Sequence, residues 1–147
     1  MEDPFLQYWF KGFSKALNDI SEEDKKIIFS QCGKACSDSY TKQIYVDEYK
    51  NSKTMEDFLS RLKVKFPEMD YLYNKTVGTI TLTYHYCACD LVRKGYIKTP
   101  SLCECSRQSL LYNWGTVLDG QAFYIRLLKS ILGGGDCCQF EIRLLAP

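Results

Sequence analysis

Between Phe5 and Leu17 the apolar residues Phe5, Leu6, Trp9, Phe10, Phe13 and Leu17 return every three or four positions, and Pro4 suits a first helical turn. Such a stripe predicts a helix that packs on a core or on a second helix. Ser21 followed by Glu22, Glu23 and Asp24 reads as an N-cap with acids in the first turn, where they favour the helix dipole. The helix it opens should carry Ile27, Ile28 and Gln31 into Cys32-Gly33-Lys34-Ala35-Cys36. A poorer helical pattern covers Thr41 to Tyr49. Thr54 caps a clearer helix, with Glu56 and Asp57 in its first turn, Phe58, Leu59, Leu62 and Phe66 on its apolar face, and Pro67 to end it.

The period then changes. From Lys75 to Tyr84, Thr79, Thr81 and Thr83 alternate with Ile80, Leu82 and Tyr84, the pattern of a strand with one wet face. Asp70 to Asn74 can be its hairpin partner, with the turn near Asn74-Lys75. Asp90 to Lys98 reads as a loop or short helix broken by Gly95, and Pro100-Ser101 opens a helix carrying Leu102, Leu110, Leu111, Trp114 and Leu118. The chain closes on two strand patterns, Phe123 to Ser130 and Cys138 to Leu144, joined by a turn containing Gly133-Gly134-Gly135. Phe140, Ile142 and Leu144 should face the core, with Gln139, Glu141 and Arg143 outward. The expected fold is α+β: a helical N-terminal half (residues 1–70) packed on an antiparallel sheet (71–147), as a single domain.

At 147 residues the chain can bury a core without covalent staples. Its net charge of +1, with acids and bases interspersed, disfavours nucleic acid as a partner. No apolar run reaches the length of a membrane helix, and MEDPFLQYWF lacks the positive n-region of a signal peptide. The expected location is cytoplasmic. Eleven tyrosines hint weakly at a pocket for a small-molecule ligand.

In a reducing compartment, eight clustered cysteines point to metal or redox chemistry before a disulfide framework. Cys87/Cys89 and Cys103/Cys105 form two Cys-x-Cys pairs separated by thirteen residues, and zinc takes four soft ligands in such half-sites. Zinc is the expected cofactor, with an iron–sulfur cluster as the alternative. The N-terminus of a helix should lower the pKa of Cys103 and Cys105. Cys32 and Cys36, one helical turn apart, could add a further face to the same centre. Cys137 and Cys138 point to opposite strand faces, Cys138 inward. His85, the only histidine, is the candidate general base near the thiols. The glycine run is not a phosphate loop, since it lacks Lys-Ser/Thr and precedes a strand.

The order Tyr86-Cys87-Ala88-Cys89, Gly95, the Ser106–Leu118 helix and Gly135-Asp136-Cys137-Cys138-Gln139-Phe140-Glu141-Ile142 resembles the 4-vinyl reductase domain superfamily, including 2-amino-thiazoline-4-carboxylate hydrolase-like proteins, over roughly Thr76 to Leu144. The resemblance implies helices on one face of an antiparallel sheet, frequent dimers and binding of small molecules or apolar groups. Three functions follow as expectations. The first is a cytoplasmic small-molecule-binding or sensor domain with zinc on Cys87, Cys89, Cys103 and Cys105. The second is a hydrolase of a small cyclic amide or thiazoline, with metal-bound water or a thiolate attacking and His85 as base. The third is a structural homodimerisation domain built on the Phe5–Leu17 helix, with inert cysteines.

Overall fold

The structure, a computed structural model, describes residues 3–145. Helix α1 spans Pro4–Leu17, with the Asp3 carboxylate accepting from the Phe5 N–H. Helix α2 (Glu22–Cys36) starts where Ser21 accepts from the Asp24 N–H, and a π-helical turn, Ser37–Thr41, leads directly into α3 (Lys42–Lys50). Helix α4 (Met55–Lys65) is capped by Thr54, whose hydroxyl accepts from the Asp57 N–H at 3.0 Å. These caps satisfy donors that the helices themselves leave free.

Strands β1 (Met69–Asn74) and β2 (Thr79–Tyr84) form the hairpin. The second strand begins later than its sequence pattern implies, because Lys75–Gly78 is spent on the turn. Asn74 closes that turn by accepting from the Gly78 N–H, and Gly78 has a φ of 72°. After the short helix α5 (Asp90–Arg93), a 3-10 turn at Pro100–Leu102 runs into α6 (Cys103–Val117). Strands β3 (Phe123–Lys129) and β4 (Cys138–Leu144) end the fold, joined through the glycine turn, where Gly134 has a φ of 97°.

All strand pairs are antiparallel, in the order β1-β2-β4-β3. The chain is thus an α+β single domain with the last strand inserted beside β2. The register sets Ile80 opposite Ile142 and Leu82 opposite Phe140, so their side chains share one sheet face. That face meets α3, α4 and α6 in the main core, around Tyr45, Phe58, Leu62 and Trp114. On the other sheet face Asp70, Leu72, Tyr124 and Arg126 are exposed. Helices therefore cover one side of the sheet only.

A second, smaller core joins α1 and α2 to the segment that carries the first Cys pair. Leu17, Phe29, Ile97 and Leu102 are its centre, and Phe10, Phe13, Cys89 and Cys105 pack against it. The single stripe read from the sequence of α1 is therefore two faces. Phe10, Phe13 and Leu17 turn inward, while Phe5 and Trp9 stay exposed.

Candidate functional site

The thiol region is organised by the crossing of α2 over α6. At Gly33 a Cβ would lie 2.8 Å from the Cys105 carbonyl oxygen, 2.8 Å from the Ser109 nitrogen and 2.9 Å from the Gln108 Cβ. Only glycine permits this backbone approach. One turn on, the buried Ser37 hydroxyl pairs with the Ser109 hydroxyl at 2.7 Å and donates to the Ser109 carbonyl at 3.2 Å. Glu104 fixes the first turn of α6 by accepting from both Nε and Nη2 of Arg107 at 2.8 Å, while Arg107 Nη1 reaches the Ile125 carbonyl of β3. Burial opposes ionisation of Glu104, but the hydrogen bonds from Arg107 and Gln108 outweigh it and hold the carboxyl below its usual range.

Cys32 and Cys36 flank Gly33 and are exposed; Cys105 and Cys89 are half-buried; Cys103 and Cys138 are buried. The Cys138 sulfur accepts from the Ile131 N–H at 3.3 Å. Cys138 takes the inward position expected of it. Burial, followed by the nearness of Cys32, Cys36 and Cys89, pushes the Cys105 thiol up to about 12. Burial raises Cys36, with the nearness of Cys89 adding to the rise, and raises Cys87 against a hydrogen bond from the Cys89 backbone. Cys103 is raised by burial against a hydrogen bond from Ser130. The expectation that the N-terminus of a helix would lower Cys103 and Cys105 is thus reversed: desolvation of the thiolate outweighs the helix dipole.

The expected zinc centre is corrected. Among the described residues no three His, Cys, Asp or Glu side chains are placed to hold a metal ion. The cause is local geometry. Cys103 and Cys105 both lie within α6, where residues two apart point about 200° from one another. Cys103 therefore looks towards Cys138 and Ser130 and Cys105 towards Cys32 and Cys36 of α2, with Cys89 near both. Cys32 and Cys36 do come near Cys105 and Cys89, as helix faces in contact and not as a ligand set. The iron–sulfur alternative drew on the same four thiols.

His85 follows β2, and its partner is a carboxylate instead of a thiol. Its Nε2–H donates to Oδ2 of Asp70, and Lys63 donates to Oδ1 of Asp70 at 2.8 Å and to the Pro67 carbonyl at 2.8 Å. Lys63 and then His85 hold the Asp70 carboxyl below its usual range. The backbone register of the hairpin, with Asp70 opposite Thr83, is what brings this carboxylate to the imidazole. All three side chains reach solvent, and Lys63 and Asp70 border an open depression of 410 Å³ that Leu59, Tyr71 and Tyr73 also line. A second open depression, of 210 Å³, lies between α2 and the start of α6, with Lys25, Lys26, Cys103 and Glu104 on its walls.

The raised thiols give stability a definite pH dependence. For Cys105 the unfolded chain releases its proton near 9.0 and the folded one near about 12, so between these values the folded state holds the extra proton. Stability is then fully present below pH 9.0 and falls as pH rises towards about 12. Cys36, Cys87 and Cys103 contribute with the same sign. Urea titrations across this window should give a falling unfolding midpoint, and Cys105→Ala should make the fall shallower. A midpoint independent of pH there would contradict the burial of these thiols.

The outer face of α1 is the feature that sequence reading passed over as one stripe. Phe5, Tyr8 and Trp9 are 68%, 76% and 55% exposed on adjoining turns. Trp9 is held in place by stacking on Phe13 at 5.7 Å and by edge contact with Phe10 at 5.2 Å. The Trp9 ring is therefore displayed on a packed aromatic base. Spacing alone carries no signal that separates them, since Phe5, Trp9, Phe13 and Leu17 step round the helix by about 40° each.

No family model matches the chain, and no curated protein matches it. Among solved structures it is similar to the trafficking protein particle complex subunit 3 from Naegleria fowleri covalently bound to palmitic acid, with a TM-score of 0.49 and 14% identity over 97% of this chain and 94% of that one. A likeness at that level carries no argument about this chain.

Proposed function

We propose that this chain is a protein-interaction domain that docks on an apolar surface of another folded polypeptide through the outer face of α1, with its thiols serving helix packing. The observation that carries this reading is the exposure of Phe5, Tyr8 and Trp9 on a helix whose other face is fully used in the small core. Contiguous exposed aromatic surface of this kind is often functional, and aromatic anchors dominate binding energy at interfaces. The charges of the helix, Lys11 and Lys15, leave the aromatic stripe itself uncharged.

Two further observations support the reading over a sensor or a hydrolase. Cys36, Cys87, Cys103 and Cys105 are raised and so stay protonated at neutral pH, where a nucleophile would need thiolate. Both depressions are open instead of enclosing a small ligand.

Amine-reactive cross-linking of the intact protein in its native cells, read peptide by peptide, tests this. Lys11 and Lys15, which lie beside the stripe, should carry inter-polypeptide cross-links. Cross-links confined to lysines far from α1, such as Lys50 and Lys75, would refute the docking role.

A further inference from the structure

We propose that the free edge of β1 takes an extended segment of another polypeptide as an added antiparallel strand, a segment apolar on both faces and carrying one basic side chain. The phase of the hydrogen-bond ladder identifies the edge. The Glu68 carbonyl accepts from the His85 N–H at 3.4 Å, and on the far side of β2 Leu144 donates to the Gly78 carbonyl at 2.8 Å. Paired residues of an antiparallel ladder alternate between bonded and unbonded. Asp70, Leu72 and Asn74 therefore turn their backbone groups to β2, and Tyr71 and Tyr73 turn theirs outward. Among the described residues no strand pairs with β1 on that side. The other edge of the sheet is closed. Leu145 donates to the Ala122 carbonyl, which sets Ile125 of β3 facing outward. There the Ile125 carbonyl accepts from Arg107 Nη1 at 3.1 Å, and a register shift between Leu127 and Lys129 breaks the regular ladder. Sheets blunt their edges by such devices, and a bare edge is a template for pairing.

What flanks the edge sets the chemistry of the occupant. On one face lies the open depression of 410 Å³ between β1 and α4, with Leu59, Tyr71 and Tyr73 on its walls. On the other face Leu72 is 72% exposed, where edge strands commonly carry charge. An added strand sends alternate side chains to the two faces, so apolar residues on both are matched. Lys63, held by Asp70 and by the Pro67 carbonyl, closes the groove at one end. Glu56 lines the other end, about 10 Å back along α4 and level with Tyr73. Lys63 and Asp70 neutralise one another, and Arg61 is engaged by Asp57. Glu56 is then the unmatched charge of the groove among the described residues, and a basic side chain opposite Tyr73 answers it. A second copy of β1 does not, because Met69–Asn74 contains no lysine or arginine. The inference stands on β1 and α4 and is independent of the docking role of α1.

Titration of the intact, isotope-labelled protein with the capped peptide Thr-Lys-Val-Val-Thr, followed by amide NMR, tests the proposal. Set antiparallel, the peptide places its lysine opposite Tyr73, its first valine opposite Leu72 and its second valine opposite Tyr71. The Tyr71 and Tyr73 amides should shift and saturate with a Kd of about 1 mM, as suits the backbone bonds these two residues offer. N-methylation of the lysine or of the second valine removes a donor aimed at β1 and should weaken binding at least about fivefold. N-methylation of the first valine, whose N–H points away from β1, should leave binding unchanged. Glu56→Gln should weaken the lysine peptide about threefold and leave a peptide with threonine in place of that lysine unaffected. The Phe5→Glu, Tyr8→Glu chain should bind as the unaltered protein does, so failure here and failure of the α1 docking role are read separately. No saturable shift at Tyr71 and Tyr73 up to about 10 mM peptide, or binding indifferent to which amide is methylated, overturns the inference. Shifts confined to α1 overturn it as well. Tyr71 and Tyr73 amides that move with protein concentration and not with peptide overturn it in favour of a second copy.

Discussion

Gly33→Ala is expected to lower stability by about 2 kcal/mol, a fall of about 6 °C in the thermal midpoint of a domain this size. Alanine is the better helix former by about 1 kcal/mol, so intrinsic propensity predicts the opposite sign. Packing decides. The new methyl would meet the Cys105 carbonyl and the Ser109 nitrogen at 2.8 Å, and both are backbone atoms that cannot swing aside. The helices must separate, and the Ser37–Ser109 hydrogen bonds stretch with them. Gly12→Ala is the matched control: with nothing within 4 Å, it should raise the stability of the dilute chain by about 1 kcal/mol. Equal effects at the two glycines, read by thermal or urea unfolding, would mean that α2 and α6 do not cross in this way.

Trp114→Ala should cost more, about 4 kcal/mol. Trp114 is fully buried and meets Tyr45 and Phe58 edge to face, at 5.8 Å and 5.4 Å between ring centroids. It ties α6 to α3 and α4, so its removal opens a cavity at the junction of three helices. Against a typical total of about 5–15 kcal/mol, that loss brings the domain near its folding limit. Trp114→Phe should cost much less. The ring is retained in part, and the buried indole Nε1–H, which makes no well-formed hydrogen bond among the described residues, is removed. A loss for the phenylalanine variant equal to that for alanine would mean that the indole nitrogen, and not ring packing, holds this junction.

The helices and strands were readable where periodicity and caps agreed. Thr54 with Pro67, and the alternation of Ile80 and Leu82 with threonines, mark α4 and β2 within a few residues. The position of β4 between β2 and β3 was not readable, because strand order is decided by which faces bury together and a local pattern is silent on that. The thiols were legible as a group and misread as a ligand set. Once Cys103 begins a helix, a spacing of two residues sends its neighbour to the far side, and the half-site is lost. Gly33 passed unremarked between Cys32 and Cys36, although a glycine inside a helical pattern usually has a packing reason. His85 was placed among the thiols by sequence proximity, whereas the hairpin register gives it to Asp70.

The aromatic stripe shows the same limit from the other side. Sequence spacing makes α1 a helix, but it cannot distribute Phe5, Trp9, Phe10 and Phe13 between core and solvent. That division depends on where Phe29, Ile97 and Leu102 wait to receive one face. What the fold leaves over on α1 is the basis of the docking role. Site-resolved cross-linking in native cells bears on it most directly, run beside a Phe5→Glu, Tyr8→Glu chain. Inter-polypeptide cross-links at Lys11 and Lys15 that disappear in the variant are the predicted result. Cross-links there that persist in the variant, or none at either lysine in the unaltered protein, would contradict it.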